Sequence, residues 1–174
     1  IGSELRSYFA ADPGYTFVEM DLSQAEARIV AHLGNDEKTL KLFADRVDIH
    51  KLTASWIFGL SPEKITTELR FIGKTTRHAG NYDMGKRRLM QIVNTDAKKF
   101  KIGISISEWR GGQILDKFHS FCPSIRKVFH EEIRSTLERN DRVLVSPFGR
   151  YRKFFDRWGE DLFREAYSHI PQST

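Results

Sequence analysis

Four side chains spaced four residues apart, Arg70, Lys74, His78 and Tyr82, carry the plainest chemistry in this sequence. On a helix that interval makes one row, running cation, cation, ring, ring. Two cations one turn apart can clamp a triphosphate, the arginine as a planar fork and the lysine as a point charge. Rings one and two turns further on can lie against a sugar and a base. A nucleoside triphosphate laid along such a helix meets matching chemistry at each step. The plainer alternative is a solvated basic face with amphipathic rings at its edge. A second centre is Asp21, within the stretch Phe17–Ile29. The residues before it, Thr16, Phe17 and Val18, suit a short buried strand. After it the apolar spacing changes to Ala25, Ile29, Ala31 and Leu33, which is helical. Ser23 and Glu26 have capping-box spacing, so the helix is expected to begin there. Asp21 then sits at the end of a strand, a rigid edge from which a carboxylate can reach Mg²⁺, a cation that wants oxygen ligands. Otherwise it merely caps or solvates a turn.

The elements that must position these groups read mainly as helices. Asp12-Pro13-Gly14 is a turn that delivers the chain to the expected strand. Gly34-Asn35-Asp36 stops the first helix and starts another, with Leu40, Leu42 and Phe43 on its apolar side. Asp48 can cap the next, where Leu52, Trp56 and Ile57 pack and Gly59 ends it. Ser61-Pro62-Glu63 then reads as the opening of another helix, and the helix that carries the row is expected over about residues 67–83. Beyond it, Leu89, Ile92 and Val93 suggest a short helix, and Ser107 caps a longer one. Pro123 begins another, with Ile125, Val128, Phe129 and Ile133 inward. His130-Glu131-Glu132 lacks the two-histidine spacing of a zinc helix and reads as surface. Val143–Phe154 is a hairpin turned at Ser146–Gly149, its basic strand suited to backbone phosphates. The opening Leu5–Phe9 precedes all of this.

Composition sets bounds. At 174 residues with 40% hydrophobic content, the chain can bury one respectable core. It contains no apolar run long enough to span a bilayer and no secretory pattern. The one cysteine, Cys122, cannot form an internal disulfide, which suits a reducing compartment. Its 28 Lys plus Arg against 23 Asp plus Glu give +5, which favours polyanionic partners. Repeats and low-complexity tracts are not found. Because the sequence starts at Ile1 and stops at Thr174, it reads as an internal piece of something longer.

Two stretches resemble family A DNA polymerases, the bacterial polymerase I type. Asp21-Leu-Ser-Gln-Ala-Glu-Ala-Arg-Ile29, followed by Ala31-His32-Leu33, is similar to that family's first palm motif. Arg70-Phe-Ile-Gly-Lys74-Thr-Thr-Arg-His78-Ala-Gly-Asn-Tyr82 is similar to its fingers helix. The resemblance implies that Arg70 and Lys74 hold the phosphates of an incoming dNTP. It implies that Tyr82 stacks near the templating base, that His50 lies near the β-phosphate and that Gln24 belongs to the nucleotide site. Glu26 would block a 2′-hydroxyl, a role that competes with its place in a capping box. Asp21 would hold two Mg²⁺ ions in the complete enzyme. Gly149, Arg150 and Arg152 resemble a glycine-arginine-arginine hairpin. Arg164, Ser168 and Gln172, the last expected just past the final helix, match residues that touch the primer-terminal base pair from the minor groove. There, acceptors common to every Watson–Crick pair let donors test shape without reading sequence.

The implied fold is α+β and mostly helical: the fingers of a right-hand polymerase with a partial palm. Residues 1–34 would be the partial palm, 35–140 the helical fingers, and 141–174 a basic hairpin and helix returning to the palm. The implied partners are primer-template DNA, dNTPs and the remaining thumb and palm segments. The implied setting is a bacterial cytoplasm or nucleoid, or a host cytoplasm for a virus. In the family the metal partner of Asp21 comes from a His-Asp motif beyond the segment of Gln172, so this chain alone is expected not to copy DNA. A single-subunit RNA polymerase is the nearest alternative, and Glu26 argues against it. A non-catalytic nucleic-acid-binding remnant is another, because several positions depart from the pattern. His78 replaces an aromatic residue, Ala79 and Asp83 replace glycines, and Ser168 replaces an asparagine.

Overall fold

A computed structural model describes residues 5, 8–101 and 103–173. Residues 1–4, 6, 7, 102 and 174 lie outside the described residues, and with them part of the Leu5–Phe9 opening and the start of the expected 1–34 segment. The chain is mostly helical, with one two-stranded antiparallel hairpin among the described residues. The helices are α1 (Ala25–Leu33), α2 (Glu37–Ala44), α3 (Ile49–Phe58), α4 (Thr67–Asn81), α5 (Lys86–Lys99), α6 (Glu108–Phe121), α7 (Glu131–Arg139) and α8 (Glu160–Ser173). Strands β1 (Val143–Val145) and β2 (Tyr151–Lys153) pair between α7 and α8. No described helix is long and apolar enough to cross a membrane.

Capping side chains start three of the helices where their spacing predicts. The Asp36 carboxylate accepts from the Thr39 amide at 3.0 Å at the head of α2. Asp48 accepts from the amides of His50 and Lys51 at 3.0 Å to open α3, and Gly59 closes it at φ 67°. Ser107 accepts from Arg110 to open α6. The hairpin turns as expected, with the Ser146 amide donating to the Arg150 carbonyl and Gly149 at φ 77°.

Helices α3 and α4 pack closest of all, through Gly73. A Cβ there would lie 2.2 Å from the His50 carbonyl oxygen and 2.9 Å from the Ala54 nitrogen. Only a bare backbone fits, so this glycine sets how near the basic row comes to His50. Below them Ile57, Ile72, Leu89, Val93 and Ile114 form one apolar cluster. A second joins Val30, Phe118, Phe129, Leu144, Leu162 and Tyr167, anchoring α1, the hairpin and α8 to the body.

Several local expectations are corrected. Thr16–Val18 is not a strand: Phe17 and Val18 are exposed and the chain from Tyr15 to Leu22 has no regular structure. A strand completes its hydrogen bonds only on a neighbour, and among the described residues the one sheet pairs β1 with β2 and does not include this segment. Asp21 therefore sits on chain without regular structure, not at a strand end. Ser23 does not cap α1, because Gln24 precedes the helix in the left-handed region at φ 58° and makes no side-chain cap. Ser61-Pro62-Glu63 opens only the short 3₁₀ turn Pro62–Lys64, and Thr66 caps α4 instead by accepting from the Leu69 amide. The helix expected from Pro123 begins as a wider π segment, Ile125–His130, before regular α7. His130 is not on the surface. It is 2% exposed, with Nε2 2.8 Å from the Asn81 carbonyl oxygen and its ring stacked on Tyr167 at 4.0 Å. Gln172 is not past the end of α8, which runs through Pro171 to Ser173.

Candidate functional site

Helix α4 presents Arg70, Lys74 and His78 along one face, and that face walls an open cleft of about 780 Å³. His50 of α3 adds to the same wall. The opposite wall is the segment from Met20 to Ala27, which brings Asp21, Gln24 and Glu26 to the cleft. Pro171 and Gln172 of α8 line it as well. Thus a carboxylate on irregular chain and a helical row of cations, far apart in sequence, share one cavity. Volumes of roughly 300–1,000 Å³ are usual for small-molecule sites.

The charges here are arranged, not merely crowded. Arg70 donates through Nε to the Asp48 carboxylate at 2.8 Å, so the residue that caps α3 also orients the first cation of the row. Burial alone would raise the Asp48 carboxyl, but the Arg70 hydrogen bond and the backbone donors hold it below its usual range. His50 is pushed down to about 4, first by burial and then by the Arg70 charge, so its imidazole is neutral at pH 7. Its Nδ1 is buried without a hydrogen-bond partner among the described residues, as is Oε1 of Gln24.

Tyr82 ends the row differently from the other three. It caps the end of α4, is 7% exposed, and does not line the cleft. Its hydroxyl donates to Oε2 of Glu26 at 2.5 Å, and its ring meets His78 edge-on at 4.9 Å. Burial and the adjacent Glu26 carboxylate both raise the Tyr82 hydroxyl, keeping it a donor. The Glu26 side chain is thereby turned toward α4.

The expected DNA-binding residues do not gather at the cleft, Gln172 excepted. Arg150 is exposed on the hairpin. Arg152 pairs with Glu165. The Arg164 guanidinium is engaged by the Asp83 carbonyl oxygen at 3.1 Å, by Asp161 at 3.0 Å and by Glu160. Ser168 donates back to the Glu165 carbonyl of its own helix at 2.9 Å.

The chain matches the model of DNA polymerase family A over residues 1–164. It belongs to that family. DNA polymerase I of Thermus aquaticus is 38% identical over 154 residues, 87% of this chain and 17% of that protein. The DNA polymerase I of Chloroflexus aurantiacus is 33% identical over 157 residues, 89% of this chain and 15% of that protein. The chain thus spans roughly one sixth of the length of these relatives. Among solved structures, the POL domain of Pol1 from M. smegmatis, in complex with DNA primer-template and dNTP, superposes with a TM-score of 0.68. That match has 24% identity and covers 87% of this chain and 26% of that one.

In this family A chain, one departure acquires a physical account. Asp83 follows Tyr82 at φ 52°, a left-handed position where a glycine is at ease and aspartate is tolerated. Its carboxylate accepts from Arg126 at 3.0 and 3.2 Å and lies 3.7 Å from Arg134. Burial would raise this carboxyl, yet Arg126 keeps it below its usual range. The acid thus faces arginines of the body, not the cleft. Two lining residues, Arg77 and Asn81, escape a reading based on steps of four. The signal was nonetheless present, because Arg77 lies seven after Arg70 and so returns to the same helical face.

Proposed function

We propose that this chain forms the nucleotide-binding part of a DNA-directed DNA polymerase, which adds dNTPs to a primer 3′-hydroxyl under template direction in replication or repair. The observation that carries the reading is that Asp21 and Glu26 line the same cleft as Arg70, Lys74 and His78, with Glu26 3.9 Å from His78. The M. smegmatis neighbour, held with primer-template and dNTP, supports it. Residues 35–140 act as fingers, 1–34 as a partial palm, and 141–174 as the return to the palm.

The phosphates of the incoming dNTP lie against Arg70 and Lys74, which draw off charge from the leaving pyrophosphate. Neutral His50 offers a hydrogen bond without adding repulsion or charge. Glu26, held by Tyr82, stands where a 2′-hydroxyl would enter and so favours deoxyribose. Arg150, Arg152, Arg164, Ser168 and Gln172 are the surface toward primer-template DNA, and Arg152 and Arg164 must exchange their acidic partners for it. Asp21 is exposed on the cleft, and a single carboxylate completed by triphosphate oxygens is a donor set that suits Mg²⁺. Bound Mg²⁺ would neutralise charge on the transferring phosphoryl group and activate the primer hydroxyl. No group of three His, Cys, Asp or Glu able to hold a metal occurs among the described residues. Strand extension therefore calls on a further anionic ligand from other polymerase segments, with this chain alone binding nucleotide.

Titrating dATP into the purified chain tests the reading. Lys74→Ala is expected to weaken binding about tenfold or more, the worth of a charge-assisted contact. Asp21→Asn should abolish the gain in affinity from Mg²⁺ while leaving metal-free binding equal or stronger, since a repelling carboxylate is gone. Unchanged binding in Lys74→Ala would overturn the assignment. So would magnesium stimulation that survives Asp21→Asn.

A further inference from the structure

Arg77 is 2% exposed and lines the cleft, yet among the described residues no carboxylate forms an ion pair with it. Its Nε donates to the Thr53 hydroxyl at 3.0 Å, and Nη2 points to the Cys122 sulfur at 3.8 Å. The guanidinium lies over the Phe118 ring at 5.4 Å and the Trp56 ring at 6.0 Å. All of these contacts are neutral, and no carboxylate comes within ion-pair distance among the described residues. Asp36 acts on it only through space, and both Asp36 oxygens are taken by Thr39, at 3.0 and 2.7 Å. A guanidinium does not discharge at neutral pH, and a buried cation without a partner is costly. Buried charge that the fold leaves uncompensated is available to an anion arriving from outside. Position says where: Arg77 is three residues after Lys74 and seven after Arg70, on the same face of α4. Its field already reaches across the cleft floor, being among the charges that hold His50 neutral, after burial and Arg70.

We propose that Arg77 is a positioning residue of the phosphate site, a buried third cation that works with Arg70 and Lys74 to bind a polyphosphate through space while they make the direct contacts. This rests on the reading of the cleft as a phosphate site. Its partners fix it in a dry region where screening is weak, so its pull survives salt better than that of the exposed pair.

Inorganic tripolyphosphate, which has no sugar or base, is the probe. Calorimetric titration of the 174-residue chain should show Arg77→Gln binding about tenfold more weakly than wild type. Arg77→Lys, which keeps the charge but loses the fork, should stay within about threefold. Equal affinity of wild type and Arg77→Gln, or an equal loss in both variants, overturns the proposal and leaves the cleft reading standing. Absence of binding by wild type overturns both. Should either variant fail to fold, the wild-type protein still decides. The Arg77 Nε–H resonance should shift on saturation with tripolyphosphate, and a resonance that stays put overturns the assignment.

Discussion

The two walls of the cleft are built on different terms. The α3–α4 wall closes its own hydrogen bonds within each helix and buries Ile49, Ala54, Ile57, Ile72 and Ala79 at or below 1% exposure. The facing wall carries Asp21 on chain without regular structure, between Met20 at 90% and Leu22 at 80% exposure. A helix satisfies its backbone locally, whereas an extended segment needs a second one beside it. The cation side of the site is therefore preformed in this chain, and the carboxylate side is only placed near it. Packing should be unforgiving on one wall and indifferent on the other.

The sharpest way to break that contrast is to add one methyl group. Gly73→Ala puts a Cβ 2.2 Å from the His50 carbonyl oxygen and against backbone, which cannot swing aside as a flexible side chain does. Separating α3 from α4 is expected to cost about 3 kcal/mol or more, the upper range for overpacking. Leu22→Ala on the other wall removes an exposed side chain and should change stability by less than about 0.5 kcal/mol. Urea denaturation of the two variants checks both. Similar losses would mean that Leu22 is held by packing the exposed wall does not show.

The same asymmetry governs what was legible in the sequence. The row Arg70, Lys74, His78 could be read because helix geometry is local and fixed at 3.6 residues per turn. Asp36, Asp48 and Ser107 could be read as caps for the same reason. The strand at Thr16–Val18 could not, since β-branched composition reports a preference and says nothing of a partner. Asp83 was opaque because its meaning depends on Arg126 and Arg134, more than forty positions away. His130 looked like part of a charged surface run, but Tyr167 of α8 stacks on it and the Asn81 carbonyl of α4 meets its Nε2, contacts remote in sequence.

Acid should weaken the helical body by a smaller amount. His50 beside the cleft and His119 in the body are both pushed down to about 4, mainly by burial and secondarily by arginines. In the unfolded chain each takes up a proton near pH 6.5. Between about 6.5 and 4 the unfolded state binds more protons, so stability rises with pH across that window and falls as the solution is acidified. Each histidine is expected to contribute on the order of 1–2 kcal/mol, allowing for its partial access to solvent. Thermal melts at pH 7 and pH 4.5 should show a smaller acid loss in His50→Gln and His119→Gln than in wild type. An equal loss would assign the acid sensitivity elsewhere.

Two serine and aspartate positions make the finest comparison, because both have the look of helix caps and only one acts as such. Asp48 accepts two amide hydrogens at the head of α3 and also holds Arg70, so Asp48→Ala removes a cap and frees a cation of the cleft. A loss of about 1–2 kcal/mol is expected, at the high end for caps. Ser23 sits one residue too early for a helix whose entry runs through left-handed Gln24, and Glu26, its would-be partner, is bound by Tyr82. Ser23→Ala should change stability by no more than about 0.3 kcal/mol, the range of an ordinary surface substitution. A cost near 1 kcal/mol at Ser23 would show that α1 is capped in solution after all. Glu26 would then be shared between the cap of α1 and its hydrogen bond to Tyr82.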